Sequence, residues 1–177
     1  MKKSDGFILL ICGLLSSSCS TYAPVSKGNL SDPNFDAVQI EQSSAAVEKI
    51  AGPPKEIIKI NDEIVWIFEN HDENGFQRAS ITFDKSSGMV KNVTILPRPT
   101  DKERNLDYLK QKLPGEYQAI LLDRCHRDYF PSITYYLNAT KGIIIEFDRN
   151  GNFVHSYSKT SSQNTLDFLG KLKRCEK

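Results

Sequence analysis

The chain is 177 residues long, 39% apolar and 25% charged, with a formal net charge of +1. That length allows one domain or two small ones. The balanced charge argues against a nucleic-acid binder, because phosphate recognition needs a clustered basic surface.

The first predicted element is an export leader over residues 1–18. Lys2 and Lys3 precede a short apolar run over 7–15, and small residues lead to Cys19. The run is about half the length of a membrane-spanning helix, so it is expected to be cleaved rather than retained. Ser16, Ser17 and Ser18 before Cys19 resemble the lipobox of bacterial lipoproteins, in which the thiol receives a diacylglycerol; Ser16 stands where an apolar residue is usual. Ordinary cleavage near 18–20 without lipid is the alternative. Removing the leader, with its two lysines and one aspartate, leaves 21 groups of each sign.

Residues 19–36 read as a lipidated, flexible arm rich in Pro, Ser, Asn, Asp and Gly. A first unit is expected over 37–97. It has a helix over 40–51 that Gly52, Pro53 and Pro54 stop. Strands follow over 56–60, 64–69, 76–84 and 89–96, with Trp66 in a central one and clean alternation about Ile81. A second unit is expected over 98–177. Thr100 and Glu103 suggest a capping box, and Leu106, Leu109 and Leu113 fall at helical spacing. Strands over 117–122, 133–137, 142–147 and 152–158 and a helix over 164–172 complete it, with Asn150-Gly151 as a hairpin turn.

The stretch 81–85, Ile-Thr-Phe-Asp-Lys, resembles 145–149, Ile-Glu-Phe-Asp-Arg, 64 residues later. The expected fold is therefore α+β, with short helices packed on antiparallel sheet, in two tandem helix-plus-sheet units or in one elaborated domain.

Of four cysteines, Cys12 leaves with the leader and Cys19 takes the lipid, so Cys125 and Cys175 remain as a pair in an oxidising compartment. A bridge would close a loop of about 50 residues and stabilise by about 4 kcal/mol in the chain-entropy model; two buried thiols are the alternative. Cys125 beside His126 also invites a nucleophile or metal reading. Neighbours on a strand face opposite ways and no second ligand lies at metal spacing, so a disulfide fits better. Asp148, Asn150 and Asn152 lack the closing glutamate of a calcium loop. No metal, cofactor or catalytic set is expected. Tyr129, Phe130, Tyr135 and Tyr136 crowd around Pro131 and are either protein-binding anchors or core of the second sheet.

Gly28-Asn29, the stretch 47–54 (Val-Glu-Lys-Ile-Ala-Gly-Pro-Pro), the strand 65–68 about Trp66 and the hairpin 81–90 together resemble the SmpA/OmlA (BamE-like) family of small outer-membrane lipoproteins. The resemblance implies a non-catalytic domain anchored at the outer membrane and facing the periplasm. It also implies envelope-protein partners, among them the β-barrel assembly machinery, and adds Gly28 and Asn29 to the protein-binding candidates. Two such units would also resemble the β-lactamase-inhibitor-protein fold, which implies a secreted or periplasmic inhibitor-like protein with a partner on its sheet face.

Overall fold

A computed structural model describes residues 34–73, 75–121 and 133–175. Among the described residues, eight antiparallel strands form one sheet. They are β1 (Glu56–Ile60), β2 (Glu63–Asp72), β3 (Gly75–Asp84), β4 (Val90–Leu96), β5 (Gln118–Leu121), β6 (Ile133–Asn138), β7 (Ile143–Asp148) and β8 (Phe153–Thr160), in the spatial order β1-β2-β3-β4-β8-β7-β6-β5. The helices are α1 (Ser44–Ala51), α2 (Leu106–Lys112) and α3 (Ser162–Cys175), with 3-10 turns at Phe35–Ala37 and Lys102–Arg104.

The expectation of short helices on a sheet in two tandem units is overturned. The closing strands β4 and β8 pair with each other, Asn92 to Thr160 through Ile95 to Tyr157, so both halves enter a single sheet. One core cluster runs across that junction, from Val47 and Phe83 to Ile145 and Val154. The result is a sheet-dominated architecture in which three helices are accessory cover.

The hairpin likeness has a physical counterpart at the level of turns. Asp84 Oδ1 accepts hydrogen bonds from the Ser86 and Ser87 amides, and Asp148 Oδ1 from those of Asn150 and Gly151. The register shifts between Thr82 and Phe83 in one hairpin and between Glu146 and Phe147 in the other. An aspartate satisfying turn amides stabilises a tight reversal, and the bulge beside it re-aims the following side chain.

Local chemistry also resets two helix starts. The helix expected from Ile40 begins at Ser44, capped by Ser43. Residues before it pair with the sheet: the Glu41 amide donates to the Val90 carbonyl and the Val90 amide to that of Gln42. The helix expected near Thr100 begins at Leu106, where Asn105 Oδ1 accepts from the Tyr108 amide.

The two sheet faces differ. On one, α1, α2 and the turn at Phe35–Ala37 seal a core of Ile81, Phe83, Val93, Ile145 and Val154. Phe35 sits edge-on to Phe68 at 5.3 Å, so the end of the predicted arm belongs to the folded body. On the other face, α3 packs Phe168, Leu169 and Leu172 against Ile120, Leu137, Tyr135 and Ile144, over β5 to β7.

Candidate functional site

The β4–β8 seam lies at the middle of the sheet and carries a polar group on each face. Strand alternation places Tyr157 and Lys159 on the sealed face and Ser158 and Thr160 on the other.

On the sealed face the seam meets Asp36. The Tyr157 hydroxyl donates to Asp36 Oδ1 at 3.1 Å, and Lys159 Nζ to the Asp36 carbonyl at 2.6 Å. Lys112 at the end of α2 donates to Asp36 Oδ2 and, at 2.6 Å, to Glu103. Tyr157 is 3% exposed, and burial, then the neighbouring Asp36 carboxylate, push its phenol well above the usual range. Burial pulls the Lys159 ammonium below its ordinary value against the opposing field of Asp36. Burial would also lower Lys112, but Asp36 and Glu103 outweigh it and hold it above.

Two concavities flank this cluster. An open groove of about 720 Å³ runs past Asp36, Glu41, Leu113, Lys141 and Lys159, and a smaller one of about 200 Å³ lies between Asp36, Gln77, Pro97 and Tyr157. The first is bordered by two carboxylates and two ammonium groups, so neither sign dominates. Among the described residues no group of three or more His, Cys, Asp or Glu side chains could hold a metal ion.

The other face is built differently. Register places Ser80, Thr82, Asn92, Thr94, Ser158 and Thr160 together across β3, β4 and β8. Thr94 and Ser158 share a 2.8 Å hydrogen bond, Asn92 Nδ2 donates to Thr94 Oγ1, and Thr160 links to the Lys91 carbonyl and to Asn164 of α3. Towards β1 the strip is bordered by Glu63 with Lys91 and by Glu69 with Lys55 and Arg78. The Lys55 bond holds the Glu69 carboxyl below its usual value, and Glu63 raises Lys91. The helical cover, α3, packs on β6 and β7, leaving Ser80, Thr82, Asn92 and Thr94 half-buried.

Tyr135 stands under α3, with its ring edge-on to Phe168 at 5.2 Å. Burial, aided by Glu146, pushes its phenol up to about 12. Tyr136 points to the sealed face, beneath Lys110 and edge-on to Phe147. Cys19, Gly28, Asn29, Cys125, Tyr129 and Phe130 lie outside the described residues, and so does the expected bridge; Cys175 is the last residue of α3. Asp36, Lys112, Tyr157 and Lys159 were not singled out from sequence. Their signal was faint: Lys159 shares a strand face with Tyr157, and Phe35-Asp36 closes an arm otherwise poor in apolar residues.

No family model matches the chain, and neither does any curated protein. Among solved structures it is similar to an extracellular protein containing an SCP domain from Bacillus anthracis str. Ames, with 12% identity and a TM-score of 0.43 over 84% of this chain and 51% of that one. The chain thus spans about half the length of that protein.

Proposed function

We propose that this chain is a non-catalytic lipoprotein that works by binding envelope proteins, in outer-membrane protein assembly or envelope integrity. Acylated at Cys19, it is held at the outer membrane with its folded body in the periplasm. The leader, the lipobox-like serines and the SmpA/OmlA resemblance support the compartment and the anchor. The observation that supports binding is the unequal cover of the sheet: one face is sealed by core, whereas on the other Ser80, Thr82, Asn92, Thr94 and Ser158 form a polar strip that is only half-buried. The ionisable cluster on the sealed face supports a structural role, because Asp36, Glu103, Lys112, Tyr157 and Lys159 satisfy one another.

Two measurements test this. Labelled palmitate should enter the wild-type protein and not Cys19→Ala; an unlabelled wild type refutes the anchor and favours the secreted or periplasmic inhibitor-like reading, which the same half-open face also suits. A photo-crosslinking residue at Thr82 should capture an envelope protein in intact cells, and one at the exposed Lys49 of α1 should not. Capture from Lys49 alone would place binding on the wrong face.

A further inference from the structure

The sheet has two edges. β5 runs into residues outside those described, whereas β1 is described throughout and, among the described residues, pairs with β2 alone. β1 reads Glu-Ile-Ile-Lys-Ile, and its Ile57 and Ile60 are each 52% exposed, more than the other large apolar side chains of the described residues. They lie on opposite faces: Ile57 pairs with Trp66 on the sealed side and Ile60 with Glu63 on the other. A single helix or loop laid on one face could not cover both. An added strand could, because it extends both faces at once and uses the row of backbone groups that an edge leaves unpaired.

We infer that the occupant of this edge is a second copy of the chain, with β1 pairing antiparallel to β1 about a two-fold axis through Ile58. Strand length and charge pattern together select this register: centred on Ile60, only the last residue of β1 would meet β1 of the second copy. Antiparallel partners share a face, so only registers that keep Glu56, Ile58 and Ile60 on one side and Ile57 and Lys59 on the other are allowed. Centred on Ile58, the pairs are Ile58 with Ile58, Ile57 with Lys59 and Glu56 with Ile60. All five residues pair, and no like charges oppose. Centred on Lys59, the two ammonium groups face each other. Centred on Ile57, Lys55 faces Lys59, and centred on Glu56 the two carboxylates collide; like charges directly opposite are destabilising. The contact is isologous and closes on itself, so it yields a dimer rather than a fibre. Five residues a side cover less than the ~1,200 Å² of a stable interface, which makes the dimer weak and concentration-dependent. This inference goes beyond the envelope-binding reading and does not depend on it.

The test is sedimentation equilibrium of the full chain in detergent across a wide range of concentrations. The wild type should show a reversible monomer–dimer equilibrium. Ile58→Lys sets two ammonium groups at the axis and should raise the dissociation constant at least tenfold. Ile60→Lys sets an ammonium opposite Glu56 and should leave the dimer intact or tighten it, although it removes as much apolar surface. A wild type that is monomeric throughout overturns the inference and leaves the edge to water or to a strand of another protein. A dimer on which the two variants act alike places the interface elsewhere and overturns it too.

Discussion

Truncating Asp36 to alanine probes how the two halves are locked together. Three groups lose a partner, and they lose different amounts. Tyr157 is 3% exposed as a residue, and its hydroxyl, bonded to Asp36 Oδ1, becomes a donor without its acceptor, a cost of about 1–3 kcal/mol. Lys112 keeps Glu103, and Lys159 keeps the Asp36 carbonyl, which no side-chain change removes. Their lost attraction is that of partly exposed pairs, about 0–1 kcal/mol each. The expected total is about 1–5 kcal/mol. Tyr157→Phe removes donor and hydrogen bond together, leaving Asp36 on Lys112, and should cost only about 0.5–1.5 kcal/mol. In the Tyr157→Phe background, Asp36→Ala should then cost less than in the wild type, because no donor is stranded. Urea titration followed by the fluorescence of Trp66, the single tryptophan, which packs at 4.8 Å on Phe83, reports all four proteins of the cycle. Effects that add within about 0.5 kcal/mol would refute the coupling, and a Tyr157→Phe loss equal to that of Asp36→Ala would refute the orphaned-donor argument.

Gly142, at φ +66°, approaches β8 so closely that a Cβ would stand 1.9 Å from the Thr160 carbonyl oxygen. Gly142→Ala should therefore cost more than about 3 kcal/mol, from left-handed strain and the forced opening of the Thr160 to Gly142 backbone bond; a loss below 1 kcal/mol by the same titration would show that the turn relaxes freely. Asp84, bonded by the Ser86 hydroxyl and then by the Ser87 and Ser86 amides and the Ser87 hydroxyl, has its carboxyl held down to about 2. Its folded value lies below the unfolded one, so its contribution to the turn is present above about pH 4 and fades as pH falls through 2. A carboxyl NMR titration should place its midpoint near 2, and a midpoint near 4 would show the turn amides unbound.

Much of the strand layout was legible, because it depends on period-two alternation and on strong turn signals. β1 occupies the expected span, the strand about Ile81 alternates, and Asn150-Gly151 closes a hairpin, whereas the bonds of Asp84 to the turn amides of Ser86 and Ser87 carried no mark in the sequence reading. Helix starts were less legible. A helix propensity before Ser43 competes with backbone pairing to Val90, a residue distant in sequence, and the pairing wins. The Thr100 and Glu103 spacing fits a capping box equally well whether or not a helix begins there. Asp101 instead binds the Arg98 amide, and Asn105 caps α2.

The sequence by itself determined the alternating faces, the turns and the charge pattern of β1, since each depends on residues within a few positions of one another. Only the tertiary structure decided that β4 would pair with β8, because nothing local distinguishes that partner from a free edge. From that single pairing follow the merging of two expected units into one sheet, the burial of Tyr157 and Lys159 against Asp36, and the alignment of Thr94 with Ser158. Each is a contact between segments that the chain order keeps apart, and such contacts depend on which surfaces are left to be covered once the local elements have formed.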